Sequence, residues 1–339
     1  MVRLASRRLL LGTAAAALPL PGLLRARGGD PEFEMKLAND NPMSHPNTIR
    51  QQEAVDRIYK DTNGRVKISL FPNNQLGGDT DMLSQLRSGA LEFMSLSGLI
   101  LSTYTPISSI YGIGYAFPGY KQVWQAMDGE LGGLIRGVIG KAGLHVFEKT
   151  WDNGFREISS STHPIRTPAD LLGYKIRVPV SPLWTSMFEA FGAAPASINF
   201  NEVYSALQTK LVEGQENPLI NIETAKLYEV QKYVSMTRHM WDGYLMLGNG
   251  RNFASLPADV QDLIARNFNA SGEDQRADCA HSDGAMRTLL EQQGMVFNEP
   301  DPEAFRQVLI KAGFYARWKQ KYGAEAWAVL EKYTGPIGG

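Results

Sequence analysis

The stretch of sequence that decides the fold is residues 35–96, which read MKLANDNPMSHPNTIRQQEAVDRIYKDTNGRVKISLFPNNQLGGDTDMLSQLRSGALEFMSL. Its apolar residues change period several times, from the alternation of a strand to the spacing of an amphipathic helix. These changes predict strands at residues 35–39, 66–70 and 91–96, separated by helices at residues 47–61 and around residues 82–86. Strands that alternate with helices over short connections predict parallel pairing with right-handed crossovers.

Polar residues follow each of these three predicted strands. In such sheets, ligands bind beyond the carboxyl ends of the strands. Here those ends are residues 40–46, 71–79 and 97–103. The candidate binding residues that they carry include Asp40, His45, Asp79 and Ser97. No nucleophile stands beside a base in this set, so the pattern favours ligand binding.

A similar alternation starts again near residue 144 and predicts a second α/β unit. Residues 257–293 are mostly helical in pattern and unusually long, so we expect this segment to span both units. Residues 302–333 are predicted to be helical and are rich in aromatic side chains. Because no low-complexity linker separates the units, we predict two lobes that share crossing segments.

The composition excludes several classes of protein. The chain has 339 residues, 43% hydrophobic and 20% charged, which is typical of a globular protein of about two domains. Lys plus Arg number 34 against 35 Asp plus Glu, so no basic excess supports a nucleic-acid partner. The single cysteine, Cys279, excludes an intramolecular disulfide and a cysteine-based zinc site. The common nucleotide, hydrolase and metalloprotease motifs are absent from the sequence, so we expect neither an enzyme nor a cofactor.

The N-terminus has the pattern of an export signal. Arginines precede a short apolar run at residues 9–18, and residues 6–10 (SRRLL) look like a twin-arginine signal. A retained signal anchor is the alternative, but the apolar run is short and is followed by prolines. We therefore predict an export signal at residues 1–30 and a periplasmic protein.

One arginine stands out in the second half of the chain. Residues 173–179 read GYKIRVP, a strand pattern in which Lys175 and Arg177 share one face and Pro179 ends the strand. Arg177 therefore lies near the carboxyl end of the strand, where its planar fork would match a carboxylate. From spacing alone, a solvated surface arginine is the favoured alternative.

Several longer stretches resemble one known family. They are Gly154-Phe155-Arg156, residues 174–179 (YKIRVP), residues 200–208 (FNEVYSALQ), residues 213–218 (EGQENP), and, in the first half, residues 72–78 (PNNQLGG) and 82–89 (MLSQLRSG). Together they resemble the DctP family, the extracytoplasmic solute receptors of tripartite ATP-independent periplasmic (TRAP) transporters. The resemblance extends over nearly all of residues 33–333, and GQENP is its most specific element.

The resemblance implies an α/β fold of the two-lobed periplasmic binding protein type. Each lobe would hold a mostly parallel sheet flanked by helices, and a long helix would span both. Lobe I would comprise residues 33–154 plus 243–283, and lobe II residues 155–242 plus 284–335. We expect a monomer that closes on an organic acid and partners the permease subunits of its transporter.

The resemblance also implies roles for individual residues. Arg177 would clamp the ligand carboxylate, and Arg156 would contact the same carboxylate or a distal group. Asn217 would hydrogen-bond the acid, Phe200 would pack against the ligand, and Asp79 would face it.

Two positions depart from the sialic-acid receptors of the family. Ser97 stands where those receptors have a glutamate, and Asp40 where they have an asparagine, which argues against sialic acid. His45 lies among the same first-lobe candidates. Trp241 either lines the cleft or packs in the hinge.

The resulting expectation is a periplasmic receptor that delivers a small organic acid to a TRAP permease. A sugar acid or a similar hydroxy-monocarboxylate is favoured. The alternatives are a C4-dicarboxylate, for which Arg156 would take the second charge, or a 2-keto acid. A receptor that feeds a sensor kinase, and an exported hydrolase or lyase, are the rival functions.

Overall fold

The computed structural model describes residues 30–280 and 282–338. The predicted export signal at residues 1–30 lies outside these residues, apart from its last position. Within the described part of the chain, no helix has both the length and the apolar character needed to cross a membrane.

The described residues form two sheets of six strands each. The strands are β1 (Phe33–Ala38), β2 (Val66–Phe71), β3 (Phe93–Ser97), β4 (Leu144–Val146), β5 (Trp151–Phe155), β6 (Glu157–Ser160), β7 (Lys175–Val178), β8 (Ala194–Ser197), β9 (Gly214–Asn217), β10 (Tyr233–Ser235), β11 (Trp241–Asn249) and β12 (Val296–Asn298). The first sheet has the order β2-β1-β3-β11-β4, with β5 also paired to β11. The second has the order β12-β10-β6-β9-β7-β8. We call the parts of the chain built on them the first and second lobes.

Helices connect the strands of both sheets. The α-helices are α1 (Pro46–Asp61), α2 (Asp79–Ser88), α3 (Gly98–Leu101), α4 (Tyr120–Met127), α5 (Glu130–Lys141), α6 (Pro182–Ala190), α7 (Val203–Gln208), α8 (Leu219–Thr224), α9 (Gly250–Ala254), α10 (Ala258–Ala280), α11 (Asp283–Gln292), α12 (Pro302–Lys311), α13 (Phe314–Tyr322) and α14 (Ala324–Thr334). Short 3-10 helices lie at Pro106–Gly112, Pro168–Leu171, Phe200–Glu202 and Leu227–Glu229.

The predicted βαβαβ unit is confirmed in the first lobe, where β1 pairs in parallel with both β2 and β3. The rest of that sheet is antiparallel, because β11 returns from the second lobe and runs against β3, β4 and β5. In the second sheet, β7 is parallel to β8 and β9, and β10 is parallel to β12, whereas β6 runs against both β9 and β10. Both lobes are therefore mixed sheets with a parallel part.

Two extended segments join the lobes side by side. The chain leaves the first sheet after β5 and enters the second at β6, and it returns between β10 and β11. The segments are hydrogen-bonded to each other, since the Arg156 N–H donates to the Met240 carbonyl at 2.9 Å and Phe155 pairs with Trp241. Paired crossing strands of this kind can act as a hinge, because small backbone rotations in them move whole lobes.

The C-terminal part differs from the prediction in two respects. The long helix expected across both lobes is two consecutive helices, of which α10 packs on α1 and β5 of the first lobe and α11 packs on α8 of the second. Helix α14, predicted to belong to lobe II, instead packs on α4 and α5 of the first lobe. Lys332 there donates to Glu130 at 2.6 Å, and the Tyr333 hydroxyl accepts from the Glu130 N–H at 2.9 Å.

Two helix starts bring polar residues to the edge of the first sheet. Helix α1 follows β1 and is capped by His45, whose Nδ1 accepts from the Asn47 N–H at 3.1 Å. Helix α2 follows β2, and its first residue is Asp79. It ends at Gly89, whose φ of 86° suits a residue without a Cβ. Both N-terminal turns therefore lie beyond the carboxyl ends of parallel strands, as the sequence predicts.

Candidate functional site

A polar cavity lies between the two lobes. Its lining residues are Asp40, Asp79, Ser97, Ile100, Asn153, Asp242 and Tyr244 from the first lobe, and Arg156, Arg177, Pro179, Trp184, Phe200, Asn217 and Asn221 from the second. The cavity is therefore lined by polar and aromatic side chains from both lobes.

Arg177 is buried, with 1% of its surface exposed, so the surface alternative raised by the sequence is wrong. Its Nε and Nη2 both donate to the Ile198 carbonyl, at 2.9 and 2.7 Å, which fixes the plane of the guanidinium. Its Nη1 is buried without a hydrogen-bond partner. Such a donor is costly to leave unpaired, so this nitrogen is a natural anchor for an anion.

The charge of Arg177 survives its burial. Desolvation lowers its pKa to about 10, although the acids Glu216, Asp79 and Asp40 oppose that shift. The group therefore remains a cation at neutral pH. Lys175 lies on the same face of β7 as Arg177, but it is exposed because it is the first residue of the strand. Arg177 lies further along the strand, where Ile198 and Phe200 are next to it.

Arg156 also lines the cavity, but it already has carboxylate partners. Its Nε donates to Glu216 Oε2 at 2.5 Å, and its Nη2 donates to Glu216 Oε1 at 2.8 Å. Its Nη1 lies 3.4 Å from Asp242 Oδ2. Burial alone would raise the pKa of Glu216, but Arg156 and a hydrogen bond from His239 outweigh it and hold that pKa below the usual value. The pair is thus ionised and largely self-neutralised.

Asn217 is held by the same network. Its Oδ1 accepts from Arg156 Nη2 at 2.9 Å, and its Nδ2 donates to Gln215 Oε1. The structure therefore places Asn217 in the cavity wall, as the sequence predicts, with both polar atoms already engaged. Its oxygen fixes the orientation of Arg156.

Two carboxyl groups of the first lobe face the cavity with unused oxygens. Asp40 and Asp79 each have a buried Oδ1 without a hydrogen-bond partner. Burial raises the pKa of Asp40 well above its usual value, and the neighbouring charge of Asp79 raises it further. Burial likewise raises the pKa of Asp79 to about 6, although Arg177 and a hydrogen bond from the Phe200 N–H act against it.

Asp242 is a third acid in the wall, and both of its oxygens are used. Its Oδ1 accepts a hydrogen bond from Ser97 Oγ at 2.8 Å and another from the N–H of the next residue, Gly243, at 2.9 Å. Its Oδ2 accepts from Asn153 Nδ2 at 2.9 Å. Ser97 thus lines the cavity as predicted, but its hydroxyl hydrogen is committed to Asp242. This acid and Ser97 form a fixed polar floor.

Aromatic rings close the second-lobe side of the cavity. Phe200 lies beside the Arg177 guanidinium, whose central carbon is 5.9 Å from the ring centre. Trp184 packs under Arg156 at 4.7 Å and donates its indole N–H to Glu216 at 3.1 Å. The predicted position of Phe200 in the wall agrees with the structure. Flat apolar faces of this kind suit the C–H face of a hydroxylated ligand.

His45 and Trp241 are predicted ligand contacts that the structure places outside the cavity lining. His45 is occupied as the cap of α1, and its Nε2 donates across the lobes to Asn221 Oδ1 at 3.4 Å. Trp241 is packed against Tyr111 and Trp124 in the hinge and donates to Asp152 Oδ1 at 2.9 Å. Neighbouring residues of a strand point to opposite faces, so Asp242 faces the cavity and Trp241 does not.

Asn221 is a site residue that sequence reasoning missed. It lies in the second lobe on α8, and it contacts three side chains of the first lobe. Besides its contact with His45, its Nδ2 lies 3.5 Å from Asn41 Oδ1 and 3.3 Å from the Tyr244 hydroxyl. These hydrogen bonds join the lobes directly. Asn221 follows the GQENP run by a few residues, which is the signal that would have indicated it.

In the described part of the chain, no group of three or more His, Cys, Asp or Glu side chains is placed to hold a metal ion. The cavity acids are instead interleaved with guanidinium groups and amides, an arrangement suited to hydrogen-bonding an organic anion.

Two mixed α/β lobes, joined by paired crossing strands around a buried polar cavity, define a solute-binding receptor of the periplasmic binding protein type. The chain belongs to the DctP family, described as bacterial extracellular solute-binding protein, family 7, whose family pattern matches residues 38–317. This membership confirms the family that the sequence resembles. It also confirms the periplasmic location. It shows that the protein is the substrate-binding protein of a transporter and not an enzyme.

Two relatives illustrate the family. The chain is 30% identical over 262 residues to the 2,3-diketo-L-gulonate-binding periplasmic protein YiaO of Escherichia coli, a match over 77% of this chain and 80% of that protein. It is 32% identical over 305 residues to the uncharacterized protein y4mM of Sinorhizobium fredii, a match over 88% of this chain. In that second case the match spans only 56% of the relative's length.

Solved structures agree with the architecture. A TRAP periplasmic solute-binding protein from Sulfurospirillum deleyianum with bound succinate superposes with a TM-score of 0.84 and 27% identity, over 90% of this chain and 99% of that one. One from Roseobacter denitrificans with bound L-galactonate gives 0.83 and 28% identity, over 90% and 99% of the two chains. The two-lobed fold predicted from the sequence is thereby confirmed.

Proposed function

We propose that this protein captures a hydroxylated monocarboxylate, such as a sugar acid, between its lobes and delivers it to the membrane permease of a TRAP transporter. The observation that carries the proposal is the Nη1 of Arg177. It is a buried cationic donor without a partner, in the wall of the inter-lobe cavity. A ligand carboxylate would supply the missing acceptor, and hydrogen bonds to charged groups contribute about 1.5–3 kcal/mol each.

The similar proteins support this class of ligand. The E. coli relative is named for a keto sugar acid, and the Roseobacter structure holds an aldonic acid. The Sulfurospirillum structure holds succinate, so a C4-dicarboxylate remains the second candidate. The sequence predicts that Arg156 takes the second charge of such a ligand, but in the structure Glu216 and Asp242 already neutralise it. The cavity therefore favours an acid with one carboxylate and several hydroxyls.

Delivery to a permease is supported by the similar structures, which are solute-binding proteins of TRAP transporters. We propose that the closed receptor presents its ligand to the permease and that the hinge opens there. We also propose lobe boundaries near residues 155 and 242, where the crossing segments leave the first sheet. Domain closure around the ligand is the usual response of periplasmic binding proteins.

A thermal-shift screen across sugar acids, C4-dicarboxylates and 2-keto acids tests the proposal. A ligand at one hundred times its dissociation constant stabilises the folded protein by about 2.7 kcal/mol, which raises the melting temperature measurably. We expect a shift with at least one hydroxylated monocarboxylate. Mass spectrometry of the ligand recovered after denaturation should return it unchanged. A chemically altered product would indicate an enzyme, and the absence of a shift with every acid would overturn the proposal.

A further inference from the structure

The hydrogen-bonding groups left unused in the cavity define the charge pattern of the ligand. On the second-lobe side, Arg177 Nη1 is a buried donor without a partner. On the first-lobe side, Asp40 Oδ1, Asp79 Oδ1 and Asn153 Oδ1 are buried acceptors without partners. A complementary ligand therefore carries an anionic group at one end and hydrogen-bond donors, such as hydroxyls, along the rest of its chain.

The first-lobe wall is also strongly acidic. Asp40, Asp79 and Asp242 all line the same cavity, and each is almost completely buried. Asp242 is compensated by Ser97, Asn153 and Arg156, but the free oxygens of Asp40 and Asp79 have no such donors. Burial already raises the pKa of both acids, and a second ligand carboxylate against these oxygens would raise it further, so a diacid could bind only by taking up a proton, which is unfavourable at neutral pH.

We propose that Asp40 and Asp79 act together as a selectivity pair, which accepts hydrogen bonds from two ligand hydroxyls and excludes acids that carry a second carboxylate. The inference rests on the proposed function, because it assumes that the ligand carboxylate binds at Arg177. It goes further by assigning the distinction between monoacids and diacids to two named residues of the first lobe.

Asp40 is the better member of the pair to change. Replacing it with asparagine keeps its size but supplies an amide N–H, which can donate to a carboxylate. The variant Asp40→Asn should therefore admit a diacid that the natural protein rejects. Asp79→Asn provides a second, independent variant. Because Asp79 also accepts a hydrogen bond from the Phe200 N–H, this substitution also affects a contact with the second lobe. Asp56→Asn is the matched control, because Asp56 is exposed on α1 and the substitution alters net charge equally.

The experiment compares two probes by calorimetric titration. One is the six-carbon aldonate that gives the largest thermal shift, and the other is the aldarate that differs from it only by a second terminal carboxylate. We expect the natural protein and Asp56→Asn to prefer the aldonate by at least about 100-fold, equivalent to two factors of ten in the dissociation constant. Asp40→Asn or Asp79→Asn should narrow that ratio by at least about tenfold, through tighter binding of the aldarate.

The outcomes separate the two proposals. If the natural protein binds the aldonate and the aldarate equally well, or if both Asp variants keep its ratio unchanged, the selectivity pair is wrong and the acid receptor stands. If the protein binds neither probe and responds to no other acid in the screen, the proposed function fails, and the selectivity pair fails with it. If the preference for the aldonate over the aldarate falls in Asp40→Asn or Asp79→Asn and stays unchanged in Asp56→Asn, the result supports the inference.

Discussion

The side chains of Arg156 and Glu216 bind each other through two hydrogen bonds in the buried wall of the second lobe, Nε to Oε2 at 2.5 Å and Nη2 to Oε1 at 2.8 Å. Both side chains are almost fully removed from solvent. This pairing explains how the two arginines of the cavity differ. Arg156 is satisfied within the protein, whereas Arg177 retains a nitrogen without a hydrogen-bond partner.

The first prediction concerns the stability of that pair. Glu216→Gln leaves the buried Arg156 guanidinium without its main counter-charge, and breaking a buried pair in this way costs about 3–5 kcal/mol. We expect a corresponding fall in the free energy of unfolding, measured by urea denaturation followed by circular dichroism. Glu202→Gln, at an exposed position, should stay close to the natural protein. Equal stability of the two variants would show that the pair is energetically unimportant.

The second prediction concerns lobe closure. Asn221→Ala removes hydrogen bonds that join α8 to His45 and Tyr244 across the lobes. We expect ligand affinity to fall about tenfold, since a net hydrogen bond contributes roughly 0.5–1.5 kcal/mol and 1.4 kcal/mol is a factor of ten. Small-angle scattering at a fixed, subsaturating concentration of the best acid should show a larger open fraction. Exposed Asn201→Ala is the control. Unchanged affinity in Asn221→Ala would exclude a role in closure.

The third prediction concerns pH. Burial lowers the pKa of His45 to about 4 from its usual 6.5, so the folded protein binds fewer protons here than the unfolded chain. The corresponding stability is present above pH 6.5 and is lost as the pH falls towards 4, on the order of 3 kcal/mol in total. His45→Asn keeps a helix-capping side chain but does not titrate, so its stability should fall less over this range. If the natural protein and His45→Asn lost the same stability between pH 6.5 and 4, the assignment of this pH dependence to His45 would be contradicted.

The fourth prediction separates the two tryptophans. Trp184 lines the cavity, whereas Trp241 is packed in the hinge. We expect ligand binding to change tryptophan fluorescence mainly through Trp184, so Trp184→Phe should lose most of the change and Trp241→Phe should retain it. The affinity of Trp241→Phe should also remain within about twofold of the natural protein, because Trp241 is not among the residues that line the cavity. If Trp241→Phe lost the fluorescence change and Trp184→Phe kept it, Trp241 would be a ligand contact, which would contradict this prediction.

The local pattern of the sequence was enough to predict the first five elements of the first lobe. The change from strand to helix periodicity between residues 35 and 96 gave β1, α1, β2, α2 and β3 in the observed order. The position of β11 was not predictable in this way, because its pairing with β3 and β5 joins residues far apart in the chain. The return of α14 to the first lobe was not predictable for the same reason, because it depends on the packing of α14 on α4 and α5, which are far away in the chain.

The site was predictable where strand ends and a motif coincide. Arg177, Asn217, Asp79 and Asp40 all line the cavity, because the carboxyl ends of parallel strands and helix starts converge there. The sequence did not show which of these groups would be free. That Arg156 is neutralised by Glu216, and that His45 caps a helix, depends on side chains that meet only in the folded protein.

The central claim is that Arg177 anchors a ligand carboxylate, and calorimetric titration of Arg177→Ala with the best acid of the thermal-shift screen tests it most directly. Arg177→Lys serves as a companion, because it keeps the charge but lacks the fork that binds the Ile198 carbonyl. We predict that Arg177→Ala retains the natural circular dichroism spectrum and loses at least about 100-fold in affinity, with Arg177→Lys between it and the natural protein. A folded Arg177→Ala variant that binds the acid as tightly as the natural protein would contradict the account.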